Sequence, residues 1–561
     1  NTNRYYPSTL PIKTEGEGGD AYRSDAEDYS LSSETTVTYD RDFLGGHHLD
    51  AMAGFTAYKS ASKTFSLSGS GYMVDDNLWN NMNAVIDKET YSASSSYSEI
   101  SKMSVLARIN YNYKQRYYIT LTGRADGASN FAANRKWGFF PSGALKWNIS
   151  NEPWMKNANV VDDLSLRFSA GRTGNDAIGA YRSLAAMSTT TSGYLFGGSQ
   201  PVAYYPSRLA SPNLTWEKTD LYNIALDAGF FGNRLTFTFE AYLAKTTDLL
   251  LTVQTATQSG YSSRFANIGS TTNKGLELSI EGKPIVKKNF SWTASFTISH
   301  NTQMVNDIGT EDFVVAYSSP GNNPYMMYGY VKGYPLNALW GFVYGGVWHN
   351  QDEIDRNQYT KTYASSSVSL AKTLGAPKYV DVNHDGNLNQ QDLCYLGNAD
   401  PVIYGGLQNT FRYKGLSLGF YFMYSLGGKI YNFSEFYMAG STFTNQYRYM
   451  LDSWHPTRNP ESNLPRAGVE GPLLPSSLLV HDASFLRLKN ITLSYTFNFK
   501  KEFFLKDLTI SASGENIYLW KYYNGFDPDV STNSDSSTIR RMDLGAYPKP
   551  RTFMFSLQVR Y

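Results

Sequence analysis

Tyr404-Gly-Gly-Leu-Gln-Asn-Thr-Phe-Arg-Tyr413, then Lys414-Gly415, then Leu416-Ser-Leu-Gly-Phe-Tyr-Phe-Met-Tyr424 is the stretch on which the fold turns. Leu416, Leu418, Phe420, Phe422 and Tyr424 alternate with Ser417, Gly419, Tyr421, Met423 and Ser425. Period two over this length is a β-strand with two unlike faces. Lys414-Gly415 is a two-residue turn, so the segment is a hairpin.

The same pattern recurs in both directions. Met103, Val105, Ala107, Ile109 and Tyr111 alternate with Ser104, Leu106, Arg108 and Asn110, and a partner strand with Tyr117, Ile119 and Leu121 follows the polar turn Lys114-Gln115. Thr35–Asp40 and Leu49–Tyr58 flank Gly45-Gly46, and Leu164–Gly171 and Leu221–Phe231 are further strands. After Gly232-Asn233, Leu235, Phe237, Phe239, Ala241 and Leu243 form an apolar face against Thr236, Thr238, Glu240 and Tyr242. Residues 1–30 read as polar loop, and residues 59–100, rich in Ser, Tyr and Asn, as a second one; Gly69-Ser70-Gly71 falls in it.

Two-faced strands suit either a soluble sandwich or a membrane barrel. Three features select the barrel. Short turns alternate with loops of about 20–60 residues, too long for a compact β domain. No blade signature recurs, which counts against a propeller. The chain ends in an amphipathic strand, Phe553, Phe555, Leu557, Val559 and Tyr561 alternating with Met554, Ser556, Gln558 and Arg560. The expectation is an all-β, antiparallel transmembrane barrel wall of roughly 14–16 strands with long extracellular loops.

Composition agrees. Aromatic residues are 15%, with 44 Tyr and 31 Phe, which fits interface girdles and equally a glycan-binding β protein. Charged residues are 18%, and no apolar run is long enough for a transmembrane helix. Net charge is +1 with scattered Lys and Arg, so no nucleic-acid surface is expected. Cys394 is the only cysteine, which rules out an intrachain disulfide and a thiolate metal site. None of the seven histidines forms a zinc motif, and no catalytic constellation stands out.

Two stretches carry candidate sites. Asp381-Val-Asn383-His-Asp385-Gly386-Asn387-Leu-Asn389-Gln-Gln-Asp392 follows the calcium-loop spacing. Asp381, Asn383, Asp385 and Asp392 would give side-chain oxygens, Asn387 a carbonyl, and Gly386 the sharp turn. Asp392, where glutamate is usual, has a shorter arm. The same residues also suit a metal-free Asn/Asp/Gly turn. Trp340, Tyr344 and Trp348 recur every fourth residue and read either as a substrate-facing aromatic surface or as packing.

A family resemblance rests on ordered phrases. They include Gly123-Arg124-Ala-Asp126-Gly127-Ala-Ser129-Asn130-Phe131, Trp137-Gly138-Phe139-Phe140-Pro141-Ser142, Leu214-Thr215-Trp216-Glu217-Lys218 and Asn273-Lys274-Gly275-Leu276-Glu277-Leu278. Trp454-His455-Pro456, Phe485-Leu486-Arg487-Leu488-Lys489-Asn490, Gly525-Phe526-Asp527-Pro528 and Tyr547-Pro548-Lys549-Pro550-Arg551-Thr552 follow. Together they resemble the C-terminal part of SusC-like TonB-dependent transporters of Bacteroidetes. The resemblance implies an integral Gram-negative outer-membrane location and import of an oligosaccharide or oligopeptide. It also implies a SusD-like lipoprotein partner, a TonB contact, and a dimer of transporter–lipoprotein pairs. Barrels of that family have about 22 strands and a plug, roughly six to eight strands more than are found here. The N-terminal plug and remaining strands are therefore expected on another chain or segment. The competing reading, from a different class, is a secreted calcium-stabilised β protein that binds glycans.

Overall fold

A computed structural model of the chain describes residues 1–10, 18–85, 90–191, 202–255, 257–261, 263–318, 325–357, 373–439, 445–468, 473–499, 505–532 and 539–561. Sixteen strands form one antiparallel sheet in chain order. They are β1 Thr2–Tyr6, β2 Gly19–Phe43, β3 His47–Tyr72, β4 Ser92–Tyr113, β5 Tyr117–Ala128, β6 Trp137–Asn148, β7 Val161–Asn175 and β8 Glu217–Phe230. Then come β9 Leu235–Thr247, β10 Ser270–Lys287, β11 Phe290–Asp307, β12 Ile403–Tyr413, β13 Leu416–Leu426, β14 Phe485–Asn498, β15 Asp507–Lys521 and β16 Thr552–Arg560.

Every strand pairs with its sequence neighbour. The quoted hairpin is β12–β13, with Tyr413 opposite Leu416. Its turn residue Lys414 has φ +53°, and Lys114 and Gln115 turn β4 into β5 at +51° and +56°. Positive φ in a tight hairpin matches the twist of the strands it joins. Gly45 and Gly46, at +89° and +86°, do the same between β2 and β3. Short turns gather at one end of the sheet and long connections at the other. That asymmetry makes the short-turn end periplasmic.

Register sorts the side chains onto two faces. Leu166, Ile224, Phe239, Leu276, Leu407, Leu493 and Leu557 lie on the outward face, and each is exposed. The expected lipid-facing residues Leu235, Leu243 and Leu416 belong to this face and are exposed, while Phe237, Leu418, Phe420 and Phe422 are half-buried on it. A water-soluble sandwich would bury such a face; a barrel wall turns it to hydrocarbon. The arrangement does not suit the secreted reading.

Two expected loops are strands. Thr2–Tyr6 form β1 and residues 19–30 belong to β2, so most of the described part of the loop expected over residues 1–30 is strand. Residues 59–72 and 92–100 extend β3 and β4, and Gly69-Ser70-Gly71 lies in β3. Above the membrane both faces of these strands meet water. The apolar half of the alternation vanishes there, and with it the sequence signal.

The sheet has two free edges among the described residues. β1 pairs with β2 only over Asp20–Ser24, so β2 from Asp25 to Phe43 has β3 as its one neighbour. β16 pairs with β15 alone, and all nine of its residues are exposed.

Candidate functional site

The inward face carries charge. On β7, β8 and β9 the cross-strand partners Ser165, Asp227 and Thr238 share one row, and Arg167, Ala225 and Glu240 the next. Arg167 donates to both Asp227 oxygens, at 2.7 and 3.2 Å, and lies 3.9 Å from Glu240. Thr238 donates to Asp227 at 2.9 Å, and Asn223 donates to Glu240. Such a network needs a wet interior, which the lumen of a barrel supplies. Period two predicts this face; the particular Arg167–Asp227 pairing requires the register.

The long connections build a packed layer at the extracellular end. Its largest core joins Met327, Tyr328 and Leu339 from the β11–β12 connection, Tyr431, Phe433 and Leu479 from β13–β14, and Ile539 and Met542 from β15–β16. Polar contacts hold the last connection down. Arg487, at the start of β14, donates to Asp527 at 2.6 Å, and both side chains are almost fully buried. Arg540 reaches Asp400 at 3.2 Å, and Arg541 donates to Ser425 at 2.8 Å. Burial pushes the Arg541 guanidinium below its ordinary range. Burial, then the 2.7 Å bond to Asp543, pushes the Tyr523 phenol well up, so it stays a donor. His481 faces Glu435 at 2.7 Å in the same layer. Arg487 and Asp527 sit in phrases that the sequence singles out, but no motif names their pairing.

The Asp381–Asp392 stretch is a tight loop in the β11–β12 connection. Asp381 accepts from His384 N at 2.8 Å and Gly386 N at 2.9 Å. Asn383 accepts from Asp385 N, and Asp385 from Asn387 N at 2.7 Å. Asp392 is fully buried and accepts from Val382 N and Asn389 N at 3.0 and 2.8 Å. Gly386 has φ +80°, as the sharp turn requires. The donor set is all oxygen and suits a hard cation. Each carboxylate keeps lone pairs beyond its amide bonds. None of the three has an ion-pair partner among the described residues. No three His, Cys, Asp or Glu side chains are gathered closely enough to hold a metal among those residues.

Trp340 and Trp348 are buried, at 6% and 2% exposure. Trp340 packs at 5.0 Å from Tyr334 and donates to Gly329 O; Trp348 packs on Ala376 under Lys378. Tyr344 packs against Tyr379 and donates to Asn463 O at 2.7 Å. The structure places all three rings against protein, inside the layer.

Known proteins share this architecture. The family model described as TonB dependent receptor-like, beta-barrel matches residues 1–517. TonB-dependent receptor P26 of Formosa agariphila is 32% identical over 573 residues, covering 100% of this chain and 56% of that protein. TonB-dependent receptor SusC of Bacteroides thetaiotaomicron is 30% identical, covering 95% of this chain and 50% of that one. The RagAB peptide importer in its open-open state superimposes with a TM-score of 0.79 at 24% identity, over 100% of this chain and 57% of that one. The chain thus spans about half the length of the curated relatives it matches. A lipid-facing apolar wall, a charged interior, an outer loop layer and the sequence match agree: the chain belongs to the TonB-dependent receptor β-barrel family, of SusC type, and is an integral outer-membrane β-barrel protein.

Proposed function

We propose that this chain forms most of the wall and the outer layer of a TonB-dependent importer that carries an oligosaccharide or oligopeptide across the outer membrane. The observation that carries the proposal is the sheet itself: apolar outside, charged inside, and closed over on the extracellular side by a cohesive loop layer. The names of relatives support it, since they include SusC and a peptide importer. The free edges of β2 and β16 support completion by further strands, about six on the barrel size of this transporter class. Those strands, with a plug that meets TonB, lie outside this sequence in the proposal, and a SusD-like lipoprotein covers the layer. Transporter–lipoprotein pairs then associate as a dimer. The test is genetic. A source strain lacking the protein should fail to grow on one defined oligosaccharide or peptide source and recover with the full-length gene. Undiminished growth on all such sources would refute import.

The same proposal includes a structural calcium ion at Asp381, Asn383, Asp385, Asn387 and Asp392. It would neutralise carboxylates that lack a cationic neighbour, and it would stiffen the β11–β12 connection. An ion that binds only the folded loop stabilises it in proportion to occupancy. Chelation should lower the unfolding temperature of the purified full-length protein, and Asp385→Asn should abolish the calcium response. A melting curve indifferent to calcium would end this part.

A further inference from the structure

Above the apolar band, the outward face is aromatic or aliphatic on several strands. Trp137 and Phe139 hold that position on β6, Tyr424 on β13, and Leu486 and Trp520 on β14 and β15. These are the interface positions where amphipathic rings usually sit. Four adjacent strands, β7 to β10, differ. Arg172 stands opposite Asp220, Asp220 opposite Lys245, and Lys274 opposite Leu243. Register places Lys245 and Lys274 two residues above the lipid-facing Leu243 and Leu276. Both lysines are exposed, and neither has an ion-pair partner among the described residues. Arg172 is held by Asp220 at 2.7 and 2.9 Å, which leaves its remaining N–H groups outward. Lys218 sits above and is paired with Asp248 at 3.0 Å. Four cations thus face two carboxylates, with the three lower cations within roughly 15 Å by strand spacing.

We propose that Arg172, Lys245 and Lys274 bind the phosphate of an outer-leaflet lipid headgroup. The height is right for it: acyl chains lie along Phe168, Ile224, Phe239 and Leu276, and the cations lie two to six residues higher on the same strands. The chemistry is right as well, since guanidinium and ammonium groups are the standard partners of phosphate. Lys59 and Lys63 also face outward on β3, but each is paired with a glutamate. The unpaired outward cations Lys245 and Lys274 sit on adjacent strands beside Arg172, which makes this one bound lipid rather than a general attraction around the barrel.

Native mass spectrometry of the full-length transporter tests the site, with lipid A carrying its phosphates and the same lipid dephosphorylated as probes. The wild type should retain phosphorylated lipid A, and millimolar inorganic phosphate should not displace it. Removing two lysines should weaken retention roughly 30-fold in Lys245→Gln/Lys274→Gln, and charge reversal to Glu should weaken it further. Lys146→Glu, on the inward face, should leave retention unchanged. Heat-modifiable migration reports folding, and the neutral double variant keeps the test decisive where the reversal misassembles. Equal retention of dephosphorylated lipid, displacement by inorganic phosphate, or unchanged retention in the double variants would overturn the assignment. So would loss of a dimer in the double variants with lipid content unchanged, which would make the patch a protein contact.

Discussion

Arg487 illustrates how much of this molecule rests on single buried pairs. Its guanidinium meets Asp527 with both side chains out of water. Truncating one partner strands the other as an uncompensated buried charge. Arg487→Ala should therefore destabilise the β15–β16 connection by about 3–5 kcal/mol, and Arg487→Ala/Asp527→Ala by less than the sum of the singles. Hydrogen exchange over residues 522–532 reads the effect, and additive single losses would show that the pair is not coupled. The sequence displays both residues in separate phrases 40 positions apart. It does not display their meeting, because that depends on the β14–β15 register and on how the last connection folds back. The carboxylates of the Asp381 loop are the opposite case. Their spacing alone predicts a sharp oxygen-rich turn, and Gly386 makes it. Trp340 and Trp348 show the limit of a spacing argument: recurrence every four residues is the same for a displayed surface and for a packed interior.

At the level of strands, legibility follows the solvent. β9, β12 and β13 are plain in the sequence because one face meets lipid and the other a wet lumen. The upper parts of β2, β3 and β4 are not, because Ser-rich strands in water carry no two-faced pattern. The lipid face also sets a measurable asymmetry. Phe239→Arg should cost about 2–4 kcal/mol in refolding from urea into lipid vesicles, since it drives a charge into hydrocarbon. Thr238→Arg should cost far less, because that side chain enters the lumen row of Asp227, next to the row of Glu240. Equal penalties at the two neighbours would contradict the assignment of faces.

For the whole molecule, the free edges of β2 and β16 govern assembly. An unpaired strand edge in hydrocarbon leaves amides and carbonyls unbonded, at several kcal/mol for each. Residues 1–561 produced alone should therefore fail to give the heat-modifiable band of a closed barrel in detergent, whereas the full-length protein should give it. A closed, resistant species from this segment alone would show that β2 and β16 can meet. The outer layer has a consequence of another kind. Its main core draws residues from three connections at once. Those connections are therefore thermodynamically one object. Grafting a single connection from a relative with a different cargo would leave half of a foreign interior facing half of the native one. On the import function proposed above, recognition should change by exchange of the three as a cassette, and lone-loop chimaeras should lose order before they gain a new preference.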